Sequence, residues 1–161
     1  MRIWTLDGQL FEIRAKNTLL RREEELSYTA VTKLSFDPTR DGEQAGLTCY
    51  YSTATYARFS LCFEGKRKLQ LVINRNHGEE LIAEVNHVNN GPIWLKVEVD
   101  RLTRRFLYSC DGEDWSEAGV LKDCIYLCDE GVPDDPKRHT GACQGVREGQ
   151  QGRRIRPPDP G

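Results

Sequence analysis

The chain has 161 residues, of which 38% are hydrophobic and 30% are charged, a composition typical of a globular domain that folds in water. Its 23 Lys and Arg residues nearly balance its 25 Asp and Glu residues, and the net charge of −2 excludes the electrostatic pattern of a protein that binds nucleic acid or an anionic membrane. No apolar run approaches the roughly 20 residues of a membrane helix, and the first residues lack the basic-then-apolar order of a signal peptide, so a cytoplasmic location is expected.

The first predicted elements are short. Residues 3–6 and 9–13 flank Asp7-Gly8, a pair that favours a tight turn, and they are predicted to form a hairpin or an edge strand. Residues 17–26 have the propensity of a short helix, but their leucines do not continue along one helical face, so a helix is not expected. Residues 28–36 alternate apolar and polar side chains, which is the period of a half-buried strand.

The same alternation continues through the middle of the chain. Further strands are predicted over residues 45–51, 56–64, 68–74, 79–85, 93–99 and 105–110. Turn residues separate these segments, among them Asp111-Gly112 just before Trp115, and strands at intervals of about ten to twelve residues are typical of an antiparallel sandwich or barrel. No long helix alternates with the strands, which argues against an α/β fold.

Beyond Trp115 the alternation becomes irregular, although residues 140–146 are predicted as one more strand. The last residues, 147–161, are rich in Arg, Pro and Gly, and Ile155 is their only large apolar side chain. Such a segment cannot bury enough apolar surface to stay ordered. The sequence therefore predicts one all-β domain over residues 1–146, followed by a disordered tail over residues 147–161.

Six cysteines raise the question of disulfides or a metal site. They are Cys49, Cys62, Cys110, Cys124, Cys128 and Cys143. No CxxC pair occurs, and the histidines (His77, His87 and His139) stand at no finger-like spacing from Cys124 and Cys128, the nearest approach to such a pair. We therefore expect reduced, mostly buried thiols, and no metal or other cofactor.

The sequence shows no recognisable catalytic motif: it has no G-x-S-x-G, no H-E-x-x-H and no glycine-rich phosphate loop. A hydrolase needs a positioned acid–base pair or an activated nucleophile. The acidic residues that come closest to a pair are expected at turns or exposed strand ends, as solvated charges. They are Glu79, Glu80, Asp111, Asp114, Asp129 and Glu130. We therefore predict no catalytic residues.

A polar sheet face is the remaining candidate site. The residues predicted to point away from the core on two neighbouring strands are Thr48, Tyr50, Tyr56, Arg58 and Ser60. Aromatic rings with hydroxyl and guanidinium neighbours suit sugars, because the C–H face of a sugar stacks on a ring while its hydroxyl groups form hydrogen bonds. We predict a carbohydrate-binding face at these five residues.

Several segments, in matching order and spacing over about residues 2–146, resemble the C-terminal concanavalin A-like β-sandwich, a jelly roll, of glycoside hydrolase family 43 β-xylosidases and α-L-arabinofuranosidases. The segments are LLRR (19–22), YTAVTKLSFDP (28–38), EQAGLTCYY (43–51), IWLKVEV (93–99), FLYSCDGEDW (106–115) and TGA (140–142). The AGLTCYY segment and the S-x-D-G-x-x-W pattern of residues 109–115 are the more specific matches.

The resemblance implies a module that follows a five-bladed β-propeller, and it is the propeller that carries the catalytic carboxylates. In that family the module packs on the propeller, and the residue just before the T-G-A segment reaches toward the sugar pocket. Here that residue is His139, next to Thr140. The chain would then be no enzyme by itself but an accessory module for xylan or arabinoxylan oligosaccharides. Its expected partner is a xylo-oligosaccharide or a propeller domain, and the alternative is a purely structural module that docks on the propeller.

One departure from the family has structural consequences. Family members close the fold with a strand rich in Phe and Tyr, of the sense DFDYFEY, whereas residues 145–161 here read GVREGQQGRRIRPPDPG. The loss of apolar alternation at Val146 implies a missing last strand and an open sheet edge. Losing the several buried side chains of that strand, each worth about 1.5–3 kcal/mol, would remove most of a typical free energy of unfolding of about 5–15 kcal/mol. We therefore expect marginal stability, or self-association through the open edge.

Overall fold

The computed structural model describes residues 3, 8–12, 18–127 and 146–151, the last of these by their main chain alone. In this part of the chain lie ten strands and one 3₁₀ turn. In chain order they are β1 (Thr18–Leu20), β2 (Ser27–Leu34), β3 (Gln44–Ser52), β4 (Thr55–Phe63), β5 (Arg67–Arg75), β6 (Gly78–Val85), β7 (Ile93–Asp100), β8 (Thr103–Ser109), β9 (Ser116–Leu121), the 3₁₀ turn Cys124–Leu127, and β10 (Val146–Gln151). No helix among these residues has the length and apolar character to cross a membrane.

The strands form two antiparallel sheets. The larger sheet has the order β1-β10-β3-β4-β5-β6, and the smaller has the order β2-β7-β8-β9. The two sheets face each other as a concanavalin A-like sandwich, which confirms the fold class predicted from the period-two alternation.

Alternate residues of both sheets point between them and form the core. Leu47, Phe59 and Leu71 come from the larger sheet, and Leu95 and Phe106 from the smaller; all five are at most 3% exposed. The rings of Phe59 and Phe106 meet edge to face with their centroids 5.6 Å apart, an arrangement that aromatic rings prefer. Each such buried side chain contributes about 1.5–3 kcal/mol to stability.

The two sheets are unequal in width, six strands against four. β9 contacts β6 at one side of the sandwich, and β2 contacts β3 at the other. Because β10 and β1 follow β3 in the larger sheet, they extend beyond β2. On β1, Leu19 and Leu20 are accordingly about half exposed, at 53% and 51%.

Residues 146–151 form a strand, β10, although the sequence predicts a disordered tail from residue 147. The absence of the family's closing Phe- and Tyr-rich strand stays a prediction. β10 lies between β1 and β3, with Val146 opposite Cys49 and Gln151 opposite Gln44. A strand is held by its main-chain hydrogen bonds to both neighbours, and these need no apolar alternation in its own side chains. The predicted disordered tail is therefore contradicted over residues 147–151, and residues 152–161 lie outside the described part of the chain.

Two smaller expectations also change. Residues 9–12, predicted as part of a strand, form a turn in which the Glu12 amide donates to the Gln9 carbonyl at 2.9 Å. Asp111-Gly112, a pair typical of a tight two-residue hairpin turn, instead lies in a six-residue connection between β8 and β9. There the Asp111 carboxylate accepts the amides of Glu113 and Asp114, each at 2.9 Å, which stabilises the longer loop.

Candidate functional site

The register of β3 and β4 brings the five predicted binding residues onto one face. Thr48 lies opposite Arg58, Tyr50 opposite Tyr56, and Ser60 opposite Gly46. Residues that pair directly across two strands share a face of the sheet. This face is the one turned away from the core, because the residues between them point inward.

Tyr50 and Tyr56 form the aromatic part of this face. Their rings are stacked, with centroids 6.1 Å apart and planes inclined by 9°. Tyr56 is fully buried, and its hydroxyl donates to Oε1 of Glu79 at 2.5 Å. Burial and the neighbouring carboxylate raise the pKa of Tyr56 well above its usual value. The phenol therefore stays protonated and holds the Glu79 carboxylate in place.

Arg58 stands at the centre of a polar network on the same face. Its Nη1 donates to Oγ of Ser60 at 3.2 Å, and its Nη2 lies 3.9 Å from Oε2 of Glu79. The Ser60 hydroxyl donates to Gln44 at 3.3 Å, and the Gln44 amide donates to Gln9 at 3.1 Å. Side chains from β3, β4 and β6 are thus linked to the turn at residues 9–12.

That turn covers part of the face. Leu10 is 5% exposed and lies over Thr48, Arg58 and Ser60, and the space between them is about 10 Å³, the room of a single water molecule. The prediction of an open surface is therefore wrong for Thr48, Tyr56 and Ser60, each at most 2% exposed. The Thr48 hydroxyl donates a hydrogen bond to the Ala57 carbonyl at 2.8 Å.

Three groups of the network are still reached by solvent, and we call them the rim: Tyr50, Arg58 and Glu79. Tyr50 is partly buried, and the Glu79 side chain is 42% exposed. Beside the rim lies Asn74, 1% exposed, whose Oδ1 accepts no hydrogen bond in the described structure while its Nδ2 donates to Thr53 at 3.4 Å. The rim is the accessible part of the predicted binding face.

Glu79 and Asn74 are the members of the site that the sequence analysis missed. Glu79 was expected to be a solvated charge at a strand end. The hairpin at Asn76 and His77 pairs Glu79 with Asn74, and Asn74 pairs in turn with Tyr56. The turn at Asn76 and His77, both with positive φ, was the available signal for Glu79. It fixes which carboxylate lies on the same sheet face as the tyrosines.

Two tryptophans on the outer side of the smaller sheet are each covered by a lysine. Nζ of Lys33 lies 4.5 Å from the ring centroid of Trp94, and Nζ of Lys96 lies 4.2 Å from that of Trp115. Cation–π contacts of this kind hold a lysine stem across the ring face. These tryptophans offer less free ring surface than their positions suggest.

Other predicted groups are dispersed or lie outside the described residues. Cys49, Cys62 and Cys124 are buried free thiols, and Cys110 is an exposed one. Over the described ranges, no three His, Cys, Asp or Glu side chains come together as metal ligands would. His139 and Thr140, the predicted pocket residues, fall in the undescribed stretch 128–145, as do Cys128 and Cys143.

Comparison with known proteins places this geometry in a family. Residues 1–150 match the model of the β-xylosidase C-terminal concanavalin A-like domain. A putative β-xylosidase of Escherichia coli K12 is 32% identical over 126 residues, covering 71% of this chain and 23% of that protein. A xylan 1,3-β-xylosidase of a Vibrio species is 31% identical over 129 residues, covering 78% of this chain and 24% of that protein.

Solved structures of other proteins share the fold of this chain. The family 43 protein BlXynB of Bacillus licheniformis superposes with a TM-score of 0.79 at 38% identity, covering 92% of this chain and 28% of that one. A xylan β-1,4-xylosidase of Bacillus halodurans, at 18% identity and a TM-score of 0.73, shares the fold. The chain therefore spans about a quarter of the length of the relatives it matches.

Proposed function

Because the chain belongs to the family of β-xylosidase C-terminal concanavalin A-like domains, we propose that it is a non-catalytic, sugar-binding accessory domain for enzymes that act on xylan or arabinoxylan oligosaccharides. The resemblance drawn from the sequence is confirmed by this match. The other domain of such family 43 proteins is a β-propeller with the catalytic residues. The pocket role of His139 and Thr140 stays a prediction from the resemblance.

The observation that carries the proposal is the rim, where three complementary groups meet at the solvent boundary. The Tyr50 ring, backed by Tyr56, offers a stacking surface for the C–H face of a pyranose. Glu79 accepts, and Arg58 donates, hydrogen bonds to ring hydroxyl groups. Tyr56 and Ser60 fix these two side chains in place before a sugar arrives, which lowers the entropy lost on binding.

The same geometry supports a binding role rather than hydrolysis. Glycoside hydrolysis ordinarily uses two carboxyl groups on either side of the scissile bond. The rim holds one carboxylate, Glu79, and it is engaged by both Tyr56 and Arg58. We therefore propose that the chain by itself does not turn over xylosides, and that hydrolysis belongs to the propeller domain.

Titration calorimetry of the whole chain with xylotriose tests the proposal. We expect saturable binding that Tyr50→Ala weakens by about tenfold or more, equivalent to about 1.4 kcal/mol. Trp115→Ala, on the outer face of the smaller sheet, is the matched control and should leave the affinity unchanged.

Three results would count against the proposal. Loss of binding in Trp115→Ala but not in Tyr50→Ala would move the site to the other sheet. Failure of the parent chain to bind, together with co-elution with a family propeller that lacks its own sandwich domain, would favour the purely structural alternative. Turnover of nitrophenyl xyloside by the pure chain would overturn the non-catalytic assignment.

A further inference from the structure

The turn at residues 9–12 lies on the polar face of the larger sheet, next to the rim, and we call it the cover. Its Leu10 side chain is 5% exposed and lies over Thr48, Arg58 and Ser60. A buried leucine usually packs against other apolar side chains, whereas this one lies on a guanidinium and two hydroxyl groups. Leu10 therefore occupies a surface that is rich in hydrogen-bonding groups.

The cover is not part of a sheet. Among the main-chain hydrogen bonds of the described residues, the one at the cover joins the Glu12 amide to the Gln9 carbonyl at 2.9 Å, and none joins residues 8–12 to a strand. The Gln44 side-chain amide fastens the cover by donating to Oε1 of Gln9 at 3.1 Å. A segment without ladder hydrogen bonds opens at a lower free-energy cost than the strands beneath it.

The cover offers this face the same two kinds of group that a sugar offers. Gln9 supplies an oxygen that accepts a hydrogen bond from Gln44, as the oxygen of a sugar hydroxyl group does. Leu10 supplies an apolar surface, as the C–H face of a pyranose does. Two side chains of the turn thus take the place of one sugar ring.

The covered groups continue the rim along β4. Arg58 and Ser60 follow Tyr56 on the same face of this strand at intervals of two residues, each about 7 Å. That interval is comparable with the repeat of a chain of pyranose rings. A sugar chain that begins on the Tyr50 ring and runs along β4 therefore meets Arg58 next, and beyond it the cover.

We propose that the cover occupies a second sugar subsite, formed by Gln44, Arg58 and Ser60, and that it moves off this subsite when an oligosaccharide binds. The inference rests on the proposed sugar-binding function and extends it: the rim holds the first ring, and the covered subsite holds the next. In the free chain the cover competes with the sugar for the same groups. The apparent affinity for a longer sugar is therefore reduced by the fraction of molecules whose cover is closed.

Titration calorimetry with methyl β-xyloside, which has one ring, and xylotriose, which has three, separates the two subsites. Leu10→Ala removes most of the apolar contact of the cover. We expect it to raise the affinity for xylotriose about fivefold or more and to leave the affinity for methyl β-xyloside unchanged. Gln9→Ala, which keeps Leu10 but removes the acceptor for Gln44, should change both affinities in the same way.

Phe11→Ala is the matched control for these two variants. Phe11 belongs to the same turn, but its side chain is 46% exposed and does not line the space between Leu10 and the sheet. Both affinities should therefore stay at the values of the parent chain.

A thiol placed in the cover reports its movement directly. In Leu10→Cys the new thiol is expected to be buried, and xylotriose should speed its alkylation by iodoacetamide about threefold or more as the cover opens. Methyl β-xyloside should not change this rate, because one ring on the rim leaves the cover closed. Cys110, which is exposed already, is the internal control, and its rate should not respond to either sugar.

The outcomes separate this inference from the proposed function. Equal xylotriose affinity in the parent chain, Leu10→Ala and Gln9→Ala would overturn the second subsite and leave the rim intact. Alkylation of Leu10→Cys that xylotriose slows or leaves unchanged would also overturn it, because the cover would not have moved away. Xylotriose binding by Leu10→Ala but not by the parent would support it. If the parent and both variants bind neither sugar, the proposed function fails, and the second subsite fails with it.

Discussion

Arg104 and Glu23 form an ion pair in the interior of the protein, with Nη2 of Arg104 3.5 Å from Oε2 of Glu23 and the two side chains 2% and 9% exposed. The same guanidinium donates to the Arg101 carbonyl at 2.6 Å, and the Tyr28 hydroxyl donates to the Glu23 carboxylate. The irregular segment between β1 and β2 is thereby fastened to β8.

Removal of one partner of this pair should destabilise the protein strongly. In Glu23→Gln the buried guanidinium loses its countercharge, and we expect the free energy of unfolding in urea to fall by about 3–5 kcal/mol. Glu23→Gln combined with Arg104→Met should lose clearly less than the sum of the two single changes, because no uncompensated charge remains. Additive losses in this double-mutant cycle would mean that the two side chains do not interact.

Gly46 marks a close approach between neighbouring strands. A Cβ at this position would lie 2.0 Å from the Phe59 carbonyl oxygen and 2.6 Å from the Ser60 Cα. Main-chain atoms cannot move aside as a flexible side chain does, so Gly46→Ala should destabilise the domain by about 3 kcal/mol or more. The free energy of unfolding measures this loss.

Gly119→Ala is the matched control for that change. Its Cβ would meet the Leu71 side chain at 3.0 Å, and a leucine methyl group can shift by a few tenths of an ångström. We expect a clearly smaller loss of stability there. Equal effects at Gly46 and Gly119 would show that the close strand approach at Gly46 is not what restricts the residue.

The sequence predicts the strands well where one face is buried and the other is not. β2 and β7 alternate apolar and polar residues, and their bounds fall within two residues of the prediction. β10 was not predicted, because its sequence, VREGQQ, does not alternate apolar and polar residues. Its place is set by the main-chain groups of β3 and β1, and the local sequence does not report what lies beside it.

The candidate site was likewise predictable only where the alternation of apolar and polar residues determines it. Period-two alternation correctly puts Thr48, Tyr56 and Ser60 on the face away from the core. It does not tell what covers that face, since the cover comes from Leu10, about 40 residues earlier in the chain. The role of Glu79 likewise depends on two successive strand pairings, β4 with β5 and β5 with β6.

The thiols should differ sharply in reactivity. Cys110 is exposed, whereas Cys49 is 2% exposed and its burial raises its pKa to about 12; burial also raises the pKa of Cys62, to about 11. The thiolate is the nucleophile in alkylation, so iodoacetamide near pH 8 should modify Cys110 long before these two. Peptide mass mapping over time measures the three rates.

The unfolded protein provides the control for the thiols. In urea the rates for Cys110, Cys49 and Cys62 should become similar, because the burial that separates them is gone. If Cys49 reacted as fast as Cys110 in the native protein, the core around β3 would be open to solvent, contrary to the packing described above.

Asp111 should make stability depend on pH in the acid range. The amides of Glu113 and Asp114, followed by the Ser109 hydroxyl, lower the pKa of Asp111 from 3.8 to about 2. A carboxyl whose pKa is lower in the folded state stabilises the protein above its unfolded pKa, and this contribution is lost as the pH falls from about 4 to about 2. Glu84, held first by Lys68 and then by Gln70, has its pKa lowered from 4.5 to about 2 and adds a loss of the same sign.

Urea unfolding at pH about 5 and pH about 2.5 isolates the contribution of the Asp111 carboxylate. The proteins to compare are the parent chain, Asp111→Asn and Glu113→Gln. We expect Asp111→Asn to lose less stability between the two pH values than the parent, because its side chain carries no charge to neutralise. Glu113→Gln, in the same loop, should keep the parent's pH dependence, because Glu113 contributes its amide rather than its carboxylate to the network. An unchanged pH dependence in Asp111→Asn would show that the Asp111 carboxylate does not hold the β8–β9 loop in solution. A flattened one in Glu113→Gln would instead assign part of the effect to the Glu113 carboxylate.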